Sequence, residues 1–231
     1  MAETRRILLA LTSQATKGKT GKPTGVWLEE LAAPYYLFLS EGFQADIASV
    51  SGGKAPLDPA SVEGEQPECV ARFLADTKAM DAVNNSKALA TLSSTDYDAI
   101  FLPGGHGTMW DLPESQALAS LLGDAWTAGK VVAAVCHGPS GLVSAKDADG
   151  RPIVAGRMVT GFSNSEEEAV GLTDVVPFLL ESRLISLGGH YRSGPDFQPF
   201  ALRDGKLVTG QNPASSERTA ELTIEALRSE R

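Results

Sequence analysis

Residues 130–139 read Lys-Val-Val-Ala-Ala-Val-Cys-His-Gly-Pro, five apolar residues in a row with no polar alternate, followed by a thiol. A strand of that kind is buried on both faces, a setting found almost only in parallel sheets sandwiched between helices. The cysteine then stands at the strand's carboxyl end with a small residue two positions to either side, Ala134 and Gly138. This is the pattern of a nucleophile elbow, a sharp strand-to-helix turn that strains its central residue and tolerates only small neighbours. The amides of the following helix are expected to point at the Cys136 sulfur and favour its thiolate. The competing reading is a packed core cysteine. For Cys69, which lacks any such setting, packing is the preferred reading.

The rest of the chain fits the same architecture. An apolar run at residues 7–11 feeds a polar loop, and Trp27, Leu31, Pro34 and Phe38 then recur at helical spacing up to Gly42. A second strand is expected over residues 43–50. Residues 51–95, rich in turn formers at their start, read as an excursion from the sheet. Strands follow at 99–102 and 130–135, separated by a helix carrying Leu118, Leu121, Leu122, Ala125 and Trp126 on one face. A hairpin is expected around residues 154–161, a strand at 207–209, and a last helix through Ala220, Ile224 and Leu227. The fold class is therefore α/β: a doubly wound, mostly parallel, flavodoxin-like sheet between helices, read as a single domain over residues 1–231 with a lid or cap at 51–95.

Charge narrows the function. Twenty Lys and Arg against 29 Asp and Glu leave a net charge of −9, and no basic stripe is present, so nucleic acid and anionic membranes are poor partners. Apolar runs are too short for a membrane span or a signal-peptide core, and two cysteines are too few for a disulfide scaffold, which points to a soluble cytoplasmic protein. Gly18-Lys19-Thr20 resembles the end of a phosphate loop, but Ser13 stands where its first glycine is required, so nucleotide binding is rejected. His106 and His190 are isolated, without metal-ligand spacing, and neither a metal nor a cofactor is expected.

Three segments offer partners for the thiol. The loop Pro103-Gly104-Gly105-His106-Gly107 ends a strand, and the Gly105 amide, with that of His137, forms a candidate oxyanion hole. His106, in the same loop, joins them as a candidate substrate-binding residue. Of the adjacent Glu29 and Glu30, only Glu30 lies on the apolar stripe of its helix; burial would raise its pKa and suit it to shuttle a proton, whereas a helix-surface glutamate is the plain alternative. In Ser163-Asn164-Ser165-Glu166-Glu167-Glu168, Ser165 and Glu168 match a capping box. Glu167 is a candidate to orient His137, although acidic residues in a first helical turn are favoured by the helix dipole in any case.

Several segments together carry a resemblance: Gly25-Val26-Trp27-Leu28-Glu29-Glu30, Asp58-Pro59-Ala60-Ser61, Leu102-Pro103-Gly104-Gly105-His106-Gly107, Ala134-Val135-Cys136-His137-Gly138-Pro139, Thr160-Gly161-Phe162 and Thr209-Gly210-Gln211-Asn212-Pro213-Ala214-Ser215. Over nearly its whole length the chain resembles the ThiJ/PfpI superfamily with its class I glutamine-amidotransferase-like fold. It is most similar to the branch of heat-shock chaperones and glutathione-independent glyoxalases. The resemblance implies a homodimer that converts methylglyoxal, or a similar small 2-oxoaldehyde, to D-lactate or the matching 2-hydroxy acid without metal or glutathione. It assigns Cys136 as nucleophile, His137 as its histidine, Glu30 as the carboxyl contacting the thiol and Glu167 as the third triad member, with Glu166 the alternative register. Other activities within its reach are a stress-response holding chaperone with Cys136 as oxidation sensor, and a small-molecule hydrolase, hydratase or deglycase at the same cysteine.

Overall fold

The structure, a computed structural model, describes residues 4–229; the ends of the expected 1–231 domain lie outside the described residues. The chain enters through β1 (Arg6–Leu11), whose last five residues are buried, as an unbroken apolar run in a central strand must be. It crosses through α1 (Leu28–Ser40) to β2 (Gln44–Ser49), which pairs in parallel with β1. After α2 (Glu68–Ala75) and α3 (Thr77–Asn84) comes β3 (Lys87–Ala88), then β4 (Ala99–Leu102), short α4 (Thr108–Asp111), α5 (Gln116–Thr127) and the wholly buried β5 (Val131–Val135). The remaining elements are β6 (Met158–Val159), α6 (Asn164–Ala169), α7 (Leu180–Ser186), β7 (His190–Tyr191), β8 (Ala201–Asp204), β9 (Leu207–Gly210) and α8 (Ser216–Arg228).

Seven strands form one sheet in the order β3-β2-β1-β4-β5-β9-β8, parallel except for the edge strand β8. Helices α1 and α8 pack together on one face and α5 covers the other, giving the expected α/β sandwich. Because the chain winds outward from β1 through β2 and β3, then returns to add β4 and β5 on the other side, the topological switch lies between β1 and β4. Ligand crevices open at the carboxyl ends of strands flanking such a switch. Here those ends carry the run into α1, the loop after β4 and Cys136 after β5.

Two local expectations are corrected. Residues 51–95 do not leave the sheet entirely, since β3 pairs with β2 at its edge; a two-residue edge strand has no apolar run to announce it. The expected hairpin at 154–161 is absent, and β6 instead pairs in parallel with β7, some thirty residues on, as a separate two-stranded sheet. Such a long-range partner leaves no mark in local patterning.

Candidate active site

Cys136 has φ 59°, one of two non-glycine residues with positive φ among those described. Its amide donates to Gly210 O at 3.0 Å and its carbonyl accepts from Phe162 N at 2.8 Å, so neighbouring strand ends hold the strained turn in place. The small residue expected two positions on is a steric necessity, because a Cβ on Gly138 would lie 2.1 Å from Leu102 O. The expectation of an ionised, standing thiol is not met. Cys136 is only 4% exposed. Burial and the neighbouring Glu30 carboxyl push its thiol well above the ordinary value of 9.0, with the His137 backbone amide acting in the other direction. The segment after the elbow is a single 3-10 stretch, Gly138–Val143, in place of the α-helix whose dipole was expected to help.

Glu30 lies in the first turn of α1 and is fully buried, while Glu29 stays partly exposed. Its Oε2 accepts the Gly104 amide at 2.7 Å, and the Gly104 carbonyl accepts from Trp27 N at 3.1 Å, which stitches the loop after β4 to the start of α1 from both sides. The start of the 51–95 segment buttresses the same turn, with Ser61 Oγ accepting the Leu28 amide at 3.0 Å. Oε1 is buried without a partner of good hydrogen-bond geometry, and the group that interacts with this carboxyl is the Cys136 thiol. Burial raises the Glu30 pKa well above 4.5. Two acids packed together out of water cannot both be charged, and burial favours the protonated form of Glu30 beside the thiol.

On the other side of the sulfur, His137 Nδ1 lies 3.4 Å away and His137 Nε2 meets Glu167 Oε2 at 2.8 Å. Burial pulls His137 down to about 4, and its hydrogen bonds pull Glu167 down to about 2 against the opposing effect of burial, so the pair is a neutral imidazole on an ionised carboxylate. Glu166 faces elsewhere. Its carboxylate takes the Ser163 amide in a capping box and, through the other oxygen, the Phe197 amide and Asn212 Nδ2. The capping box is therefore Ser163 with Glu166, not Ser165 with Glu168, and the choice between Glu166 and Glu167 is a matter of which side of α6 each occupies.

The sequence did not reveal two further contacts. Gly104, seventy-four positions from Glu30, holds its carboxylate, and a Cβ there would sit 2.7 Å from both Glu30 Oε2 and His137 N. His106, read as an isolated histidine, places Nε2 2.9 Å from Glu167 Oε1. Phe162 stacks on His137 with centroids 4.3 Å apart, and the motif Thr160-Gly161-Phe162 was its only signal. The Gly105 amide meets no protein acceptor among the described residues and lies in the loop that faces His137 N. His106, His137 and Glu167 bring their donor atoms within 4.8 Å of one another, a set able to hold a metal ion, yet the carboxylate is already bonded directly to both rings.

The family profile described as DJ-1/PfpI matches residues 24–226, a span that holds every residue of this site. The chain belongs to the DJ-1/PfpI family. It is 33% identical to the glutathione-independent glyoxalase HSP31 of Saccharomyces cerevisiae over 97% of this chain and 98% of that one. Among solved structures of the family's fold, the Rapid Encystment Protein 24 KDa of Francisella tularensis superposes with a TM-score of 0.94 at 40% identity, covering 97% of this chain and 99% of the other. Glyoxalase III from Candida albicans superposes with a TM-score of 0.89 at 32% identity, over 96% and 97% of the two chains.

Proposed function

We propose that this DJ-1/PfpI protein is a glutathione-independent glyoxalase that turns methylglyoxal or a related small 2-oxoaldehyde into the 2-hydroxy acid. The reading rests on one arrangement: a thiol on a strained elbow, with a buried carboxyl on one side and an imidazole on a buried carboxylate on the other. As Sγ bonds to the aldehyde carbon, the thiol proton passes to His137 Nδ1 and the carbonyl π pair becomes an oxyanion near the Gly105 and His137 amides. Protonation of that oxygen gives a hemithioacetal. The C1 proton passes to whichever of Glu30 and His137 gave its proton to that oxygen, leaving an enediolate; return of that proton to C2, with transfer of the C1 hydroxyl proton to the C2 oxygen, gives the thioester. Water then cleaves the thioester and restores the thiol. One carbon is oxidised and its neighbour reduced, so no redox cofactor is consumed.

The names of the yeast and Candida relatives support this substrate class. A thiol sensor is the less supported reading, since oxidation favours exposed thiolates and Cys136 is buried with a raised pKa. No helix among the described residues is long and apolar enough to cross a membrane, and the proposal includes a cytoplasmic homodimer, for which light scattering gives the mass. The deciding experiment is Cys136→Ala. D-lactate formation from methylglyoxal should fall by at least about a thousandfold while the fold is unchanged. Undiminished turnover by the variant would refute the proposal.

A further inference from the structure

The sequence suggests His106 for substrate binding, but the structure gives its imidazole another neighbour. His106 Nε2 and His137 Nε2 lie 2.9 and 2.8 Å from the two oxygens of one carboxylate, that of Glu167. An ionised carboxylate only accepts hydrogen bonds, so both imidazoles present Nε2–H to it. The two rings also lie against each other, with centroids 4.1 Å apart and planes inclined at 42°. In a Cys-His-acid arrangement the acid ordinarily serves one histidine, and its undivided charge stabilises an imidazolium there. Here that charge is divided between two rings.

We propose that His106 is a positioning residue which, by sharing Glu167, holds His137 as a neutral imidazole with Nδ1 open to the Cys136 proton. His106 occupies Oε1, so the carboxylate cannot turn and only Oε2 serves His137. A proton added to His137 would also place its charge against a second imidazole bound to the same acid. The His137 and Glu167 side chains are 1% and 2% exposed and that of His106 is 12% exposed, so His106 is where this chain of hydrogen bonds meets solvent. The other ionisable groups around His137 are Cys136, with Glu30 beyond its sulfur, and Glu166 of α6. Glu166 is already held by the Ser163 and Phe197 amides and by Asn212, and cannot swing round to replace Glu167.

The test compares His106→Ala with His106→Gln, which keeps an N–H for Glu167 Oε1. Two quantities are measured on the full-length protein: the pH dependence of Cys136 alkylation by iodoacetamide, and kcat and KM for methylglyoxal across the same pH range. The acid limb set by His137 protonation should move up by about one pH unit in His106→Ala and by less in His106→Gln. KM should change less than about twofold in both. An unmoved limb with a raised KM would make His106 a substrate contact and overturn the proposal. An unmoved limb with only a lowered Tm would make it fold support and overturn the proposal equally. If His106→Ala does not fold, NMR titration of the His137 ring in His106→Gln decides: a raised midpoint supports the proposal and an unchanged one overturns it. Only the turnover assay rests on the glyoxalase reading. Wild-type protein that is alkylated but inert to methylglyoxal would refute that reading and leave the alkylation profiles to decide the role of His106.

Discussion

Glu30→Gln should stabilise the protein while removing its activity, and the pH dependence of the gain identifies the cause. Glutamine fits the site: its amide oxygen can keep the 2.7 Å bond from the Gly104 amide, and its NH2 can point at the sulfur where the free Oε1 now lies. What changes is the proton. The folded state holds the Glu30 carboxyl protonated well above 4.5, whereas in the unfolded chain it ionises near that value. A carboxyl raised in this way contributes stability that is fully present below pH 4.5 and lost as pH rises from there through its folded pKa. Glutamine has no proton to lose, so its advantage should be near zero at pH 4 and grow above pH 4.5 by up to about 1.4 kcal/mol per pH unit until the folded pKa of Glu30 is passed. For a chain of this length that is about 2–4 °C in Tm for each kcal/mol. Turnover should fall by about 10²–10⁴ through loss of the proton carrier. Thermal melts of both proteins from pH 4 to pH 8 provide the assay. A gain of equal size at pH 4 and pH 8, or a lower Tm for the variant at pH 8, would refute a buried, protonated Glu30.

Substitutions at three further positions probe the frame of the site. Glu167→Gln leaves one imidazole N–H facing an amide that cannot accept both, and should lower kcat by about 10²–10⁴. Because Glu167 sits at about 2 when folded and 4.5 otherwise, its stabilisation is present above pH 4.5 and lost as pH falls towards 2; melts of the glutamine variant should show a smaller acid loss over that window. Gly138→Ala places a methyl 2.1 Å from Leu102 O and should cost about 1–3 kcal/mol in urea unfolding, with Cys136 alkylation slowed as the elbow shifts; an unaltered midpoint would disprove the steric argument. Phe197, at φ 57° with its amide tied to Glu166, should prefer glycine to alanine by about 1 kcal/mol when both replacements are compared by chemical denaturation, and equal stabilities would rule out strain at that position.

Much of the sandwich could be read from composition along the chain, because a strand buried on both faces must be apolar throughout and a covering helix must carry its apolar residues at a period of 3.6. β1, β5, α1, α5 and α8 announced themselves in this way, and the elbow did so through the small residues around Cys136. Glu30 was set apart from Glu29 by the same helical arithmetic, and the fully buried Glu30 beside the partly exposed Glu29 agrees with it. Short edge pairings such as β3 with β2, and β6 with β7, were invisible, since two residues carry no period.

The residue pattern alone determined the layered architecture and the place where a reactive group belongs, because burial and helical or strand spacing are local properties written into the order of side chains. The protonation of that group was decided in three dimensions. Whether the sulfur is ionised depends on the dielectric around it and on Glu30, brought in from a segment more than a hundred positions away in sequence. The same is true of the division of labour between Glu166 and Glu167, neighbours in sequence whose carboxylates point to different partners once α6 is packed. Charge interactions act through space, and only the packed fold sets those distances.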